Sequence, residues 1–114
     1  MSIEVPISQL SDEVPRWGFG YLVTVGDDAR AHLLALRPTV EPARDPDGVP
    51  VLRFDVGGGR AARNTAIHPN VTIVFPPAPH ADGMSLIIDG EAADDDGTLA
   101  VTPTWAVLHR RAPA

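Results

Sequence analysis

Several short segments of the chain alternate apolar with polar or small residues, the pattern of strands that bury one face. Twelve prolines and ten glycines among 114 residues separate these segments and favour many turns over long helices. The pattern predicts six strands, at residues 20–25, 31–39, 51–56, 71–75, 84–92 and 99–109. Short, regularly spaced strands of this kind are typical of an antiparallel barrel or sandwich.

Two short segments predict helices instead. Residues 60–68 follow three glycines and precede Pro69, and a residue before proline avoids the α region. Residues 8–14 predict one helical turn that Pro15 ends, within an N-terminal lead-in of residues 1–16. Residues 1–114 are expected to form a single domain with one hydrophobic core. Pro103 within the last strand indicates an edge or a bulge, because proline has no amide hydrogen to donate.

Composition excludes several classes of function. The formal net charge of -6 argues against nucleic acid as a partner, because phosphate neutralisation needs a basic surface. The absence of cysteine excludes disulfides and zinc–thiolate sites. All nine basic residues are arginines, so no lysine is present for Schiff-base chemistry. No signal-peptide pattern or membrane-length apolar run occurs, and we expect a cytoplasmic protein without a membrane partner.

The run GGGRAARN, residues 57–64, lies between a predicted strand and a predicted helix. Gly58 and Gly59 let backbone amides approach a ligand, and the free amides of a helix start favour an anion. Arg60, Arg63 and Asn64 share a helix face, and the planar fork of arginine suits phosphate oxygens. The run therefore predicts a phosphate site, with a flexible loop carrying two solvated arginines as the alternative.

Other candidates for chemistry are weaker. The four histidines have no short metal-ligand spacing, no GxSxG motif occurs, and no metal site is expected. Asp89 and Glu91 are expected at exposed strand positions, and the run Asp94–Asp96 as a solvated hairpin turn. If the protein is an enzyme, a cofactor is expected to supply the chemistry.

Three segments together resemble a known superfamily. They are GYLVTVGDDARAHLLALRP, LRFDVGGGRAARNTAIHPNVTIVFP and SLIIDGEAADDDGTLAVTPTWAVLHR. Their order and spacing, from about Trp17 to Arg111, are similar to the flavin-binding split-barrel superfamily of pyridoxamine 5'-phosphate oxidase-like proteins, and most of all to its short actinobacterial members. The resemblance implies a mainly β, six-stranded antiparallel split β-barrel with one or two short helices. It also implies a homodimer with flavin mononucleotide (FMN) or a deazaflavin coenzyme in each interface groove.

The resemblance also implies roles for single residues. Arg60 falls on the family's basic phosphate-binding position, and Arg63 and Asn64 match the basic–Asn pair of the same helix. Ala61 stands where many relatives place a lysine. The second strand, whose backbone lies along the flavin ring in relatives, contains Leu34, Ala35 and Leu36, and Arg37 lies just beyond it.

Trp105 on the closing strand could pack across the dimer interface or stack on a flavin ring, but an ordinary core or interface tryptophan is the favoured interpretation. The function expected from the resemblance is a flavin- or deazaflavin-dependent oxidoreductase acting on a small-molecule substrate. A non-enzymatic flavin-nucleotide-binding or carrier protein is one alternative. A haem-binding relative with His32, His80 or His109 as axial ligand is another.

Overall fold

The computed structural model describes residues 2–45 and 48–110, so Arg111, where the resemblance ends, lies outside the described residues. Two α-helices occur in this part of the chain, α1 (Leu10–Glu13) and α2 (Arg60–Ile67), with 3-10 turns at Ile7–Gln9, Val14–Arg16 and Pro79–Ala81. The strands are β1 (Ser2–Glu4), β2 (Gly20–Val25), β3 (Ala31–Leu36), β4 (Thr39–Glu41), β5 (Val51–Phe54), β6 (Asn70–Phe75), β7 (Ser85–Asp95) and β8 (Thr98–His109).

These strands form one antiparallel sheet in the order β3-β2-β6-β7-β8-β5-β4. The long strand β8 pairs with β7 along one side, while its other side pairs with β5 near its start and with β1 near its end. The sheet curls into a half barrel, which confirms the predicted mainly β split-barrel fold with short helices. No helix among residues 2–45 and 48–110 is long and apolar enough to cross a bilayer.

The described residues form eight strands, two more than the six predicted. The N-terminal lead-in contains β1, whose three residues are all exposed. The predicted strand at residues 31–39 is interrupted at Arg37 and Pro38, and its end becomes β4, which pairs with β5 instead of β2. A proline cannot donate to a ladder, and it restricts the backbone of the residue before it. Strands of three residues are also too short to show a periodic pattern.

The core lies on one face of the sheet. Strands β2, β5, β6, β7 and β8 each alternate buried and more exposed side chains. The fully buried core side chains are Leu10, Leu22, Leu52, Phe54, Ile73, Phe75, Leu86, Ile88, Leu99 and Val101. Each such side chain contributes roughly 1.5–3 kcal/mol relative to its exposed state. Helix α2 closes one side of this core with Ala61.

The hairpin of β7 and β8 contains a bulge. Asp89 pairs with Trp105 and Gly90 pairs with Pro103, so Thr104 is the extra residue. Pro103 therefore lies beside the bulge, as its missing amide hydrogen predicts. The two strands approach closely here. A Cβ atom on Gly90 would lie only 2.7 Å from the carbonyl oxygen of Thr102.

Replacement of Gly90 by alanine is expected to lower the free energy of unfolding by about 1–3 kcal/mol, because the methyl group forces the two strands apart. Urea unfolding measures the change. Gly58→Ala is the matched control, since nothing lies within 4 Å of a Cβ atom at that position. Equal stabilities of the two variants would contradict the close approach of β7 and β8.

Candidate functional site

A cleft of about 270 Å³ separates α2 from the turn between β2 and β3. Three arginines line it, Arg60 and Arg63 from the helix and Arg30 from the turn. The other lining side chains with polar groups are Asp27, Asp28, His32 and Asn64. Two of the sequence-predicted arginines therefore lie together, and the fold adds a third that the sequence did not indicate as a ligand.

The start of α2 orients the two predicted arginines. Gly57 has φ +62° and Gly59 is the N-cap residue, with no side chain bonded to the first helical amides. Arg60 and Arg63 are exposed on one face, since residues three apart are neighbours on a helix surface. Ala61, at the position where many relatives have a lysine, is only 2% exposed and packs into the core. The arginines are therefore the basic groups that this helix presents to the cleft.

The two aspartates of the cleft already have partners. Oδ1 of Asp27 lies 2.9 Å from Nε2 of His68, and Oδ1 of Asp28 accepts the backbone amide of Arg30 at 3.1 Å. None of the ion pairs found in the described ranges involves Arg30, Arg60 or Arg63. An anion entering the cleft would therefore meet arginines that no carboxylate of the described residues holds.

Asn64 connects the helix to the sheet. Its Nδ2 donates to Oγ1 of Thr24 at 3.1 Å, and Thr24 is fully buried. Its Oδ1 lies close to Gly26, where a Cβ atom would be 3.2 Å away. Asn64 thus lines the cleft, but its amide nitrogen already binds Thr24, and its contact with a cofactor remains a prediction. Thr24 is 40 residues away in sequence, and no local pattern indicated the pair.

The remaining predicted cofactor residues lie elsewhere. Gly58 lines a neighbouring groove between α2 and the β7–β8 turn, which Arg63 also borders. Strand β3, with Leu34, Ala35 and Leu36, forms an edge of the sheet. Arg37 lies beyond the far end of β3, in a separate cleft beside Trp17.

Trp105 lies on the outer face of β8, opposite Asp89, and is 47% exposed, which excludes a core tryptophan. The outer face of the sheet, away from the core, therefore carries this side chain.

The candidate haem ligands have different surroundings. His32 lines the three-arginine cleft, and Nδ1 of His109 is 3.0 Å from Oγ of Ser2. His80 packs against Trp17, with a ring-centroid distance of 4.6 Å. In the part of the chain that the structure describes, no three His, Asp or Glu side chains are grouped as a metal site.

The hairpin turn predicted at Asp94–Asp96 is shorter in the structure, because β7 extends to Asp95. Oδ2 of Asp95 accepts a hydrogen bond from Arg53 at 2.7 Å, and Glu41 accepts a second at the same distance. Both hydrogen bonds raise the pKa of Arg53, and the bond to Glu41 has the larger effect. Asp95 thus helps to hold β4 and β5 against the turn.

Comparison with known proteins gives relatives and a fold. No family model matches the chain. Two uncharacterized proteins, one of Mycobacterium bovis and one of Mycobacterium tuberculosis, are each 39% identical to this chain over 96% of its length and 82% of the relative's length. A solved structure of an F420 reductase is similar with a TM-score of 0.60 and 19% identity, over 77% of this chain and 87% of that chain. This structural likeness shows the split-barrel-like fold alone.

The Thr24→Val variant is expected to lose about 1–3 kcal/mol of unfolding free energy, because it leaves the amide of Asn64 without its partner. Thr65→Val is the matched control, since the hydroxyl of Thr65 donates to the carbonyl of Ala61 within the helix and its removal leaves no donor unpaired. Urea unfolding compares the two. The double variant Thr24→Val/Asn64→Leu is expected to recover part of the loss, and strictly additive losses would contradict the coupling.

Proposed function

This chain belongs to the family of the two mycobacterial proteins to which it is 39% identical, and we propose that it is a homodimeric, flavin-type oxidoreductase. The deazaflavin coenzyme F420 is the first candidate cofactor, because a reductase of that name has a similar fold, and FMN is the second. Both are cofactors that the resemblance to the pyridoxamine 5'-phosphate oxidase-like superfamily implies. The observation that carries the proposal is the three-arginine cleft at the start of α2.

The cleft has the chemistry of a phosphate site. Both candidate cofactors carry a phosphate group, and guanidinium groups bind phosphate oxygens through paired, charge-assisted hydrogen bonds. Arg60 and Arg63 lie at the start of the helix, where uncapped backbone amides add to the attraction for an anion. The chain as a whole carries a net charge of -6, so this basic cleft is a local feature.

Strand β3 is suited to the ring of such a cofactor. Ala31, the first residue of β3, lines the cleft, and the strand runs from there along the edge of the sheet. Among the described residues β3 pairs only with β2, so its other edge offers backbone groups near Leu34, Ala35 and Leu36. We propose that these groups bond the polar edge of the ring. The cofactor supplies hydride or electron transfer, for which the protein needs to provide no acid or base.

The outer face of the sheet supports the proposed dimer. Exposed apolar side chains lie there on the paired strands β2 and β3, with Leu33 at 54%, Val25 at 40% and Tyr21 at 37%, and Trp105 on β8 is 47% exposed. The strand register places Leu33 opposite Val23 on this face, and the row continues through Thr72 and Asp89 to Trp105. The apolar group on β2 and β3, which the polar pair Thr72 and Asp89 separates from Trp105, marks an interaction site. A second copy of the chain is the occupant we propose, through the same face on both subunits.

The Leu33→Arg variant is expected to convert the dimer into a folded monomer, because two charges would be buried in a symmetric interface. Sedimentation equilibrium measures the mass. Val49→Arg is the matched control, since Val49 is 47% exposed but precedes β5 and does not belong to the outer-face row. A monomeric wild-type protein, or a dimer that survives Leu33→Arg, would contradict this interface.

The experiment on function measures binding of F420, FMN and riboflavin by absorbance and fluorescence. We expect the Arg60→Ala/Arg63→Ala variant to lose about 3 kcal/mol or more of affinity for the phosphate-bearing cofactor, roughly 100-fold, because two charged hydrogen bonds are lost. Riboflavin affinity is expected to change little. The control Arg44→Ala/Arg110→Ala removes the same charge from exposed arginines that line neither cleft.

Equal losses for FMN and riboflavin would contradict the phosphate assignment. A deazaflavin band, two flavin bands or a Soret band in the reconstituted protein distinguishes F420, FMN and haem. A bound cofactor that no electron donor reduces would favour the carrier alternative over an enzyme.

A further inference from the structure

A second cleft, of about 320 Å³, lies at the opposite end of the β2–β3 hairpin from the three-arginine cleft. Gly20 pairs with Leu36 at this end, and Val25 pairs with Ala31 at the other. Five residue steps separate the two ends, which is about 17 Å along a strand. The second cleft is therefore a separate site, and its lining includes Val14, Trp17, Arg37, Pro38 and Val40.

Trp17 forms a rigid, apolar part of the cleft wall. Its side chain is only 5% exposed, and its indole nitrogen donates to Oε2 of Glu13 at 3.0 Å. Its ring also contacts His80 edge to face and lies 6.0 Å from the ring of Phe75. Because the polar atom of Trp17 already has a partner, the indole offers the cleft its hydrocarbon surface. Pro38 and Val40, which are partly exposed, add further apolar surface above the buried Val14.

Arg37 supplies the charge of this cleft. Its Nη2 lies 3.7 Å from the place where a Cβ atom on Gly18 would stand, so the end of the guanidinium lies close to Gly18. The nearby carboxylate of Glu13 binds Trp17 and pairs with Arg16 at 3.6 Å. Arg37 takes part in none of the ion pairs found across residues 2–45 and 48–110.

We propose that this cleft binds a small apolar carboxylate, with the carboxylate on Arg37 and the hydrocarbon part against Pro38, Val40 and the exposed edge of Trp17. A planar carboxylate matches the two parallel donors of a guanidinium. The volume is at the lower end of the range of small-molecule sites, roughly 300–1,000 Å³, and therefore suits a ligand with a single ring. Binding follows from this cleft alone, whereas the role of the ligand as substrate rests on the proposed function.

The test uses benzoate and its neutral analogue benzamide with the cofactor-free protein. The indole N–H signal of Trp17 in a ¹H–¹⁵N spectrum reports binding. The chain has two tryptophans, so the signal that remains in the Trp105→Phe variant is that of Trp17. We expect benzoate to shift the Trp17 signal and to bind at least about tenfold more tightly than benzamide, since a charged hydrogen bond contributes that much. Arg37→Gln should remove this preference, and the control Arg44→Gln should keep it.

The Arg60→Ala/Arg63→Ala variant separates this site from the cofactor cleft. Retained benzoate binding in that variant supports a distinct site, whether or not the protein binds F420 or FMN. Equal affinities for benzoate and benzamide would overturn the proposal. An unchanged preference in Arg37→Gln, or no shift of the Trp17 signal at millimolar benzoate, would also overturn it. If benzoate binds as expected but no cofactor does, the site stands and the oxidoreductase assignment fails.

Discussion

The contact between Asn64 on α2 and Thr24 on β2 determines where the candidate site forms. A helix of eight residues is not stable alone in water, so α2 depends on its packing against the sheet. Ala61 and Thr65 provide the buried face, and the bond of Asn64 to the fully buried Thr24 fixes the helix at the turn end of β2. Gly26 makes the close approach possible, because a side chain there would meet the amide of Asn64.

This docking explains how an acidic protein forms a basic cleft. Once α2 lies beside the β2–β3 turn, Arg60 and Arg63 approach Arg30 from across the cleft. His68 at the end of the helix contacts Asp27 and so binds one of the two carboxylates at the turn. Three of the nine basic residues thus meet at one end of the hairpin beside two of the fifteen acidic ones.

The β2–β3 hairpin relates the proposed sites to one another. The arginine cleft lies at its turn, the cleft of Trp17 and Arg37 lies at its open end, and β3 provides a free strand edge between them. Its outer face continues across β6 and β7 to Trp105, so the same hairpin borders the proposed dimer surface. Cofactor, small ligand and second subunit would therefore meet along a single element of the fold.

The sequence by itself determined the long strands, helix α2 and the class of fold, because each of these elements has a local hydrophobic period or a glycine–proline boundary. It also predicted that Arg60 and Arg63, three residues apart, lie on one face of one helix. Strands β1 and β4 were not predicted as separate strands, because three residues are too few to show a hydrophobic period. Only the tertiary structure decided that Arg30 joins the cleft, that Asn64 binds Thr24 and that Arg37 lies in a different cleft. These relations join residues that are distant in sequence, and they arise from sheet register and helix docking, which no local pattern encodes.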